Sequence, residues 1–122
     1  MRRILIVEDA SDIRFLLAEL LDSEGYVTAS VANGQEAIDY LVKSSDLPDL
    51  ILLDLMMPKM DGYQFRQAQK GNSRIADIPV VIMTADGDIQ SKAGELTAKG
   101  MLKKPFSDID DILRTISHLL AS

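Results

Sequence analysis

Three carboxylates, a hydroxyl and an ammonium stand where apolar runs of this chain end. Ile4 to Val7 is followed by Glu8 and Asp9, Leu50 to Leu53 by Asp54, Val80 to Met83 by Thr84, and Met101-Leu102-Lys103 by Lys104. If the runs lie side by side, all five groups meet in one small crevice. Acids gathered that closely repel one another, and a divalent cation relieves the repulsion.

The elements that would hold these groups follow from the pattern around them. Unbroken apolar runs of four or five residues are typical of parallel strands covered on both faces, and such sheets bind ligands at the carboxyl ends of their strands. After the first strand, Ser11 or Asp12 can cap a helix with Ile13, Leu16, Leu17, Leu20 and Leu21 inward, stopped by Gly25. Tyr26 to Val31 reads as a weaker strand, Asn33-Gly34 as a turn, and Glu36 to Lys43 as a helix with Ala37, Ile38, Leu41 and Val42 inward. The Asp54 strand leads through Met56 to Gly62 into a helix over Tyr63 to Gln69, and Pro79 opens the fourth strand. A helix over Ile89 to Lys99 has a thin apolar stripe and should be loosely held. A short strand over Met101 to Lys103 precedes a final helix capped by Ser107 with Asp110, whose apolar face is Ile109, Ile112, Leu113, Ile116, Leu119 and Leu120. Five strands alternating with five helices imply an α/β fold: a doubly wound parallel sheet with right-handed crossovers.

The chain of 122 residues fits one domain spanning 1–122. Its net charge of −6 argues against direct nucleic-acid contact and against anionic membranes. It has no cysteine, no apolar stretch long enough to span a bilayer, and no signal-peptide core after Met1-Arg2-Arg3, so a cytoplasmic location is expected.

Glu8-Asp9, Asp54 with Pro58 and Gly62 after it, Thr84-Ala85, and Lys104-Pro105 occur in the order and approximate spacing of a known family. Over essentially its whole length the chain resembles the receiver domain of two-component response regulators, including the chemotaxis regulators. The resemblance implies a five-stranded flavodoxin-like (βα)5 sheet of order 2-1-3-4-5. It implies that Asp54 takes a phosphoryl group from the phosphohistidine of a sensor histidine kinase or histidine phosphotransfer protein, forming an aspartyl phosphate that switches binding to a downstream protein partner. Mg²⁺ would be held by Asp9, Asp54, the Met56 carbonyl and Glu8, the last directly or through water. Lys104 would meet the phosphoryl oxygens and Thr84 would hydrogen-bond one of them. The Lys104-Pro105 bond would be cis. No cofactor besides the metal is implied, and the only catalysis is of the domain's own phosphorylation and slow dephosphorylation. Partners would bind the helix over 89–99, the strand before Lys104 and the final helix. Three positions before Lys104 the family usually has an aromatic residue; here Met101 stands there, which puts an aromatic rotamer switch in doubt.

Blander readings exist for each residue taken alone. An acid after a strand is commonly a helix cap, Thr84 has good β propensity, and Lys104 could be solvated like its neighbour Lys103. His118 lies far along the chain from every acid and reads as structural or surface. A phosphatase or phosphomutase with an aspartyl-phosphate intermediate would place a second acid two residues after the nucleophile, where this chain has Met56. A flavodoxin-like FMN carrier would need a phosphate loop after strand one, and Glu8-Asp9-Ala10 would repel a phosphate.

Overall fold

The computed structural model describes residues 2–57, 59–85, 98–106 and 108–120. Its strands are β1 (Arg3–Val7), β2 (Val27–Val31), β3 (Leu50–Asp54), β4 (Val80–Thr84) and β5 (Gly100–Lys103). They form one parallel sheet in the order β2-β1-β3-β4-β5. Four helices are described: α1 (Ser11–Ser23), α2 (Gly34–Lys43), α3 (Gly62–Lys70) and α4 (Ile109–Leu120).

Alternation along each central strand feeds two cores. Leu5, Val7, Ile51, Leu53, Val80 and Ile82 pack with Ala37 and Leu41 of α2 and Phe65 of α3. Ile4, Ile6, Leu50, Leu52, Val81 and Met83 pack with Leu17 and Leu21 of α1 and with Ile112, Ile116 and Leu120 of α4. A strand buried on both faces has no polar side to show, which is why β3 and β4 read as unbroken apolar runs.

Several expectations need correction. The α1 N-cap is Ala10 and makes no side-chain cap hydrogen bond, so neither Ser11 nor Asp12 caps it. Asn33 is not in a free turn: its side chain accepts from the Glu36 N–H and caps α2, which starts at Gly34. Leu16, Val42 and Ile109 are exposed rather than inward, because the buried stripe of each helix is narrower than its run of apolar residues. Asp108 supports the start of α4, its carboxylate accepting from the Asp110 N–H; Ser107 lies outside the described residues. The helix expected over 89–99 falls mostly on residues 86–97, also outside the described residues. Ala98 and Lys99 are described and not helical, and the Lys99 N–H donates to Val80 O, leading into β5. Gly25 stops α1 as expected, in the left-handed region at φ +92°.

One buried polar residue holds the segment that delivers the chain into β4. Gln69, fully buried, donates from Nε2 to Ile75 O and Ile78 O at 2.9 and 3.0 Å and accepts from Arg66 Nη1 at 2.7 Å. Gln69→Leu keeps the volume but removes these three hydrogen bonds and takes the side-chain donor from the buried Ile78 carbonyl, while the Ile75 carbonyl keeps the Ile78 N–H, so it should lower stability by about 2–3 kcal/mol. A shift of the urea midpoint at unchanged slope measures it, and a loss under about 0.5 kcal/mol would mean the carbonyls find other donors.

Candidate functional site

The carboxyl ends of β1, β3, β4 and β5 lie side by side, and parallel register sets what meets there. Val7 pairs with Leu53, Asp54 with Met83, and Thr84 with Lys103. Glu8, Asp54, Thr84 and Lys104 therefore emerge at the same rim. The Lys104 N–H continues the ladder to Thr84 O at 2.9 Å, and the following Lys104-Pro105 bond is cis.

The side chains converge as the strand ends do. Glu8 is fully buried, Asp54 and Thr84 nearly so, and Asp9 is exposed at the mouth. One oxygen from each of Glu8, Asp9 and Asp54 lies within 4.8 Å of the others. The Lys104 ammonium makes an ion pair with Glu8 Oε1 and stands 3.4 Å from Asp54 Oδ2. Among the described residues Asp9 makes no ion pair, which leaves it open to an incoming cation.

Burial pushes the Glu8 carboxyl up to about 7, and a hydrogen bond to Asp54 together with the Asp54 charge adds to the rise. Lys104 and the Ala10 N–H pull it back; that N–H donates to Glu8 Oε2 at 3.2 Å. Glu8 Oε1 faces the Lys104 ammonium and, among the described residues, no further hydrogen-bond donor. Three carboxylates gathered this closely against a single ammonium leave an excess of negative charge and oxygen ligands that fits an oxygen-seeking divalent cation.

The loop after β3 is built tightly. The Met56 N–H donates to Asp54 Oδ1 at 3.3 Å while the Met56 side chain is exposed. Lys59 adopts a left-handed φ of +67°. The Gly62 N–H returns to Leu55 O at 3.1 Å, and Asp61 with Gln64 forms a reciprocal capping box at the start of α3. A Cβ at position 62 would come within 2.6 Å of Leu55 Cδ2, 2.8 Å of Leu55 Cα and 2.9 Å of Asp54 O. The same loop touches α2, where the Gly34 N–H donates to Met60 O at 3.0 Å.

Residues 4–117 match the response regulator receiver domain family. The chain belongs to that family. It is 41% identical over 120 residues to the sporulation initiation phosphotransferase F of Bacillus subtilis, covering 97% of this chain and 93% of that protein. It is 38% identical to RpaA of Synechocystis, named a DNA-binding dual master transcriptional regulator, over 98% of this chain but only 49% of that protein. The chain thus spans about half the length of this relative. Among solved structures, a putative response regulator from Chloroflexus aurantiacus superposes with a TM-score of 0.88 at 29% identity, covering 99% of this chain and 98% of the other. Receiver domains are signalling domains, and membership supports a phosphoacceptor role in two-component signalling.

The site residues expected from sequence, Glu8, Asp9, Asp54, Thr84 and Lys104, stand at one rim. Met56 touches Asp54 through its backbone N–H. Sequence reasoning missed Arg14, whose Nη1 donates to Glu8 O at 2.8 Å and Asp9 O at 3.4 Å. The available signal was a basic residue one turn into the helix that follows the acid pair.

Proposed function

We propose that Asp54 is the phosphoacceptor of a phosphorelay, taking its phosphoryl group from a sensor histidine kinase or a histidine phosphotransfer protein. The observation that carries this reading is the Lys104 ammonium seated between buried Glu8 and Asp54, with three acid oxygens within 4.8 Å of one another. An Asp54 carboxylate oxygen attacks phosphorus, the new P–O bond forms as the P–N bond of the donor phosphohistidine breaks, and the departing imidazole nitrogen takes up a proton. Lys104 exchanges a carboxylate contact for a phosphoryl oxygen, and the Thr84 hydroxyl donates to another. Asp9, Asp54, the Met56 carbonyl and Glu8, the last directly or through water, would hold Mg²⁺, which would supply positive charge against the phosphoryl oxygens.

Switching of a downstream partner would run through residues 89–99, β5 and α4, with part-buried Met101 filling or leaving space as Thr84 engages the phosphoryl group. The name phosphotransferase on a relative of 41% identity favours a relay role. The expectation of no nucleic-acid contact rests on the net charge of −6 alone, since a relative that this chain half spans is DNA-binding by name. No helix among the described residues is long and apolar enough to cross a membrane. A cytoplasmic setting belongs to the same proposal, as does the absence of catalysis beyond the domain's own phosphorylation and dephosphorylation.

Incubation with acetyl phosphate and Mg²⁺ should add one phosphoryl group per chain, and excess chelator should prevent it; labelling independent of metal would overturn the reading. Asp9→Ala should lose most of the Mg²⁺ affinity, because an exposed carboxylate that makes no ion pair among the described residues disappears. Glu8→Ala should lose less, since Glu8 is already shared with Lys104. Calorimetric Mg²⁺ titration of both variants checks the ranking, and the reverse order would refute the ligand assignment.

A further inference from the structure

We infer that Arg14 is a positioning residue that holds Glu8 and Asp9 in the arrangement able to take a divalent cation; the inference rests on the metal reading above. Arg14 is the fourth residue of α1. Side chains of a helix lean toward its N-terminus, so an arginine one turn in reaches back over the loop that precedes the helix. Here its Nη1 meets two successive carbonyls, Glu8 O at 2.8 Å and Asp9 O at 3.4 Å.

Holding two consecutive carbonyls fixes the orientation of two consecutive peptide planes, and with them the directions in which the Glu8 and Asp9 side chains leave the backbone. The Ala10 N–H, which shares the second of those planes with the Asp9 carbonyl, donates to Glu8 Oε2. The loop needs this support because Ala10, the N-cap of α1, supplies no side-chain cap. Arg14, a donor only, cannot accept from the free N–H groups as a cap would, but it ties the first turn to the chain that enters it through the Glu8 and Asp9 carbonyls. The contact is to backbone, so the Arg14 charge is not consumed by the three acids.

Charge and position make opposite predictions, which separates them. A cation near the cluster repels a metal, so removing Arg14 would tighten Mg²⁺ binding if charge were its whole effect. If Arg14 positions the acids, removing it loosens the site, and partners of metal ligands typically carry about tenfold to a hundredfold in affinity. Arg14→Ala should therefore raise the Mg²⁺ dissociation constant about tenfold, with thermal unfolding little changed. Arg14→Lys, which keeps the charge and one donor, should recover part of the loss.

The decisive measurement needs no metal. Amide hydrogen exchange of Asp9, Ala10 and Ser11 in the metal-free protein should quicken in Arg14→Ala, while amides of β3 and β4 keep their rates. Unchanged exchange at residues 9–11, or Mg²⁺ binding as tight as in the parent, would overturn the inference. Failure of the parent itself to bind Mg²⁺ would instead overturn the metal reading, and the exchange result would still decide what Arg14 holds in place.

Discussion

Asp54→Asn should take up no phosphoryl group from acetyl phosphate, where the parent takes up one. Asparagine preserves the shape of the side chain and can still receive the Met56 N–H, so the fold and the loop after β3 should persist. What it lacks is an anionic oxygen able to attack phosphorus. The loss should be complete rather than partial, because no neighbouring group offers a substitute in the same place: Glu8 is buried behind Lys104, and Asp9 stands at the mouth. Intact mass spectrometry at neutral pH reads the added phosphoryl group, and its release by hydroxylamine identifies an acyl phosphate. Stoichiometric labelling of Asp54→Asn would move the acceptor elsewhere.

Lys104→Met should slow phosphorylation by about 10²–10³-fold, the usual effect of deleting one donor aimed at developing charge. Methionine keeps much of the length and removes the ammonium. Mg²⁺ binding should be no weaker than in the parent, because Lys104 competes with the metal for Glu8 Oε1 and stands 3.4 Å from Asp54 Oδ2. The combination of slower labelling with undiminished metal affinity separates a group acting on the phosphoryl oxygens from one that merely organises the site. Equal labelling rates in variant and parent would refute a catalytic role for Lys104. Loss of Mg²⁺ affinity alongside the rate would show that the lysine's first job is to keep the acids together.

Much of this arrangement is visible in the sequence because parallel strands leave a strong trace. A strand buried on both faces must be apolar throughout, so the first polar residue after it marks the rim of the sheet. Glu8, Asp54 and Thr84 announce themselves in this way. The strand order is not written in the runs themselves and follows from the resemblance; the sheet has that order. Contacts to backbone leave no such trace. Arg14 binds carbonyls, which every residue has, and Gln69 binds carbonyls six and nine residues away, so neither pattern nor composition singles them out. Helix faces were legible only in part. Apolar residues at Leu16, Val42 and Ile109 have helical spacing, yet which edge of a broad stripe turns to solvent depends on the neighbours it meets.

The loop after β3 offers opposite freedoms on its two sides. Position 62 has no room for even one added carbon, and the atoms it would strike include the carbonyl of Asp54 itself. Position 56, two residues past Asp54, is 74% exposed and hydrogen-bonds Asp54 through a backbone N–H that nearly every amino acid can supply. Variation arising in a lineage is thus filtered unevenly: one position is closed to drift, and the other is open to almost any side chain at little cost to the fold. A family built on this loop can diversify at the mouth of its site while the floor stays constant. An engineer wishing to retune the domain would search at position 56 and leave position 62 alone.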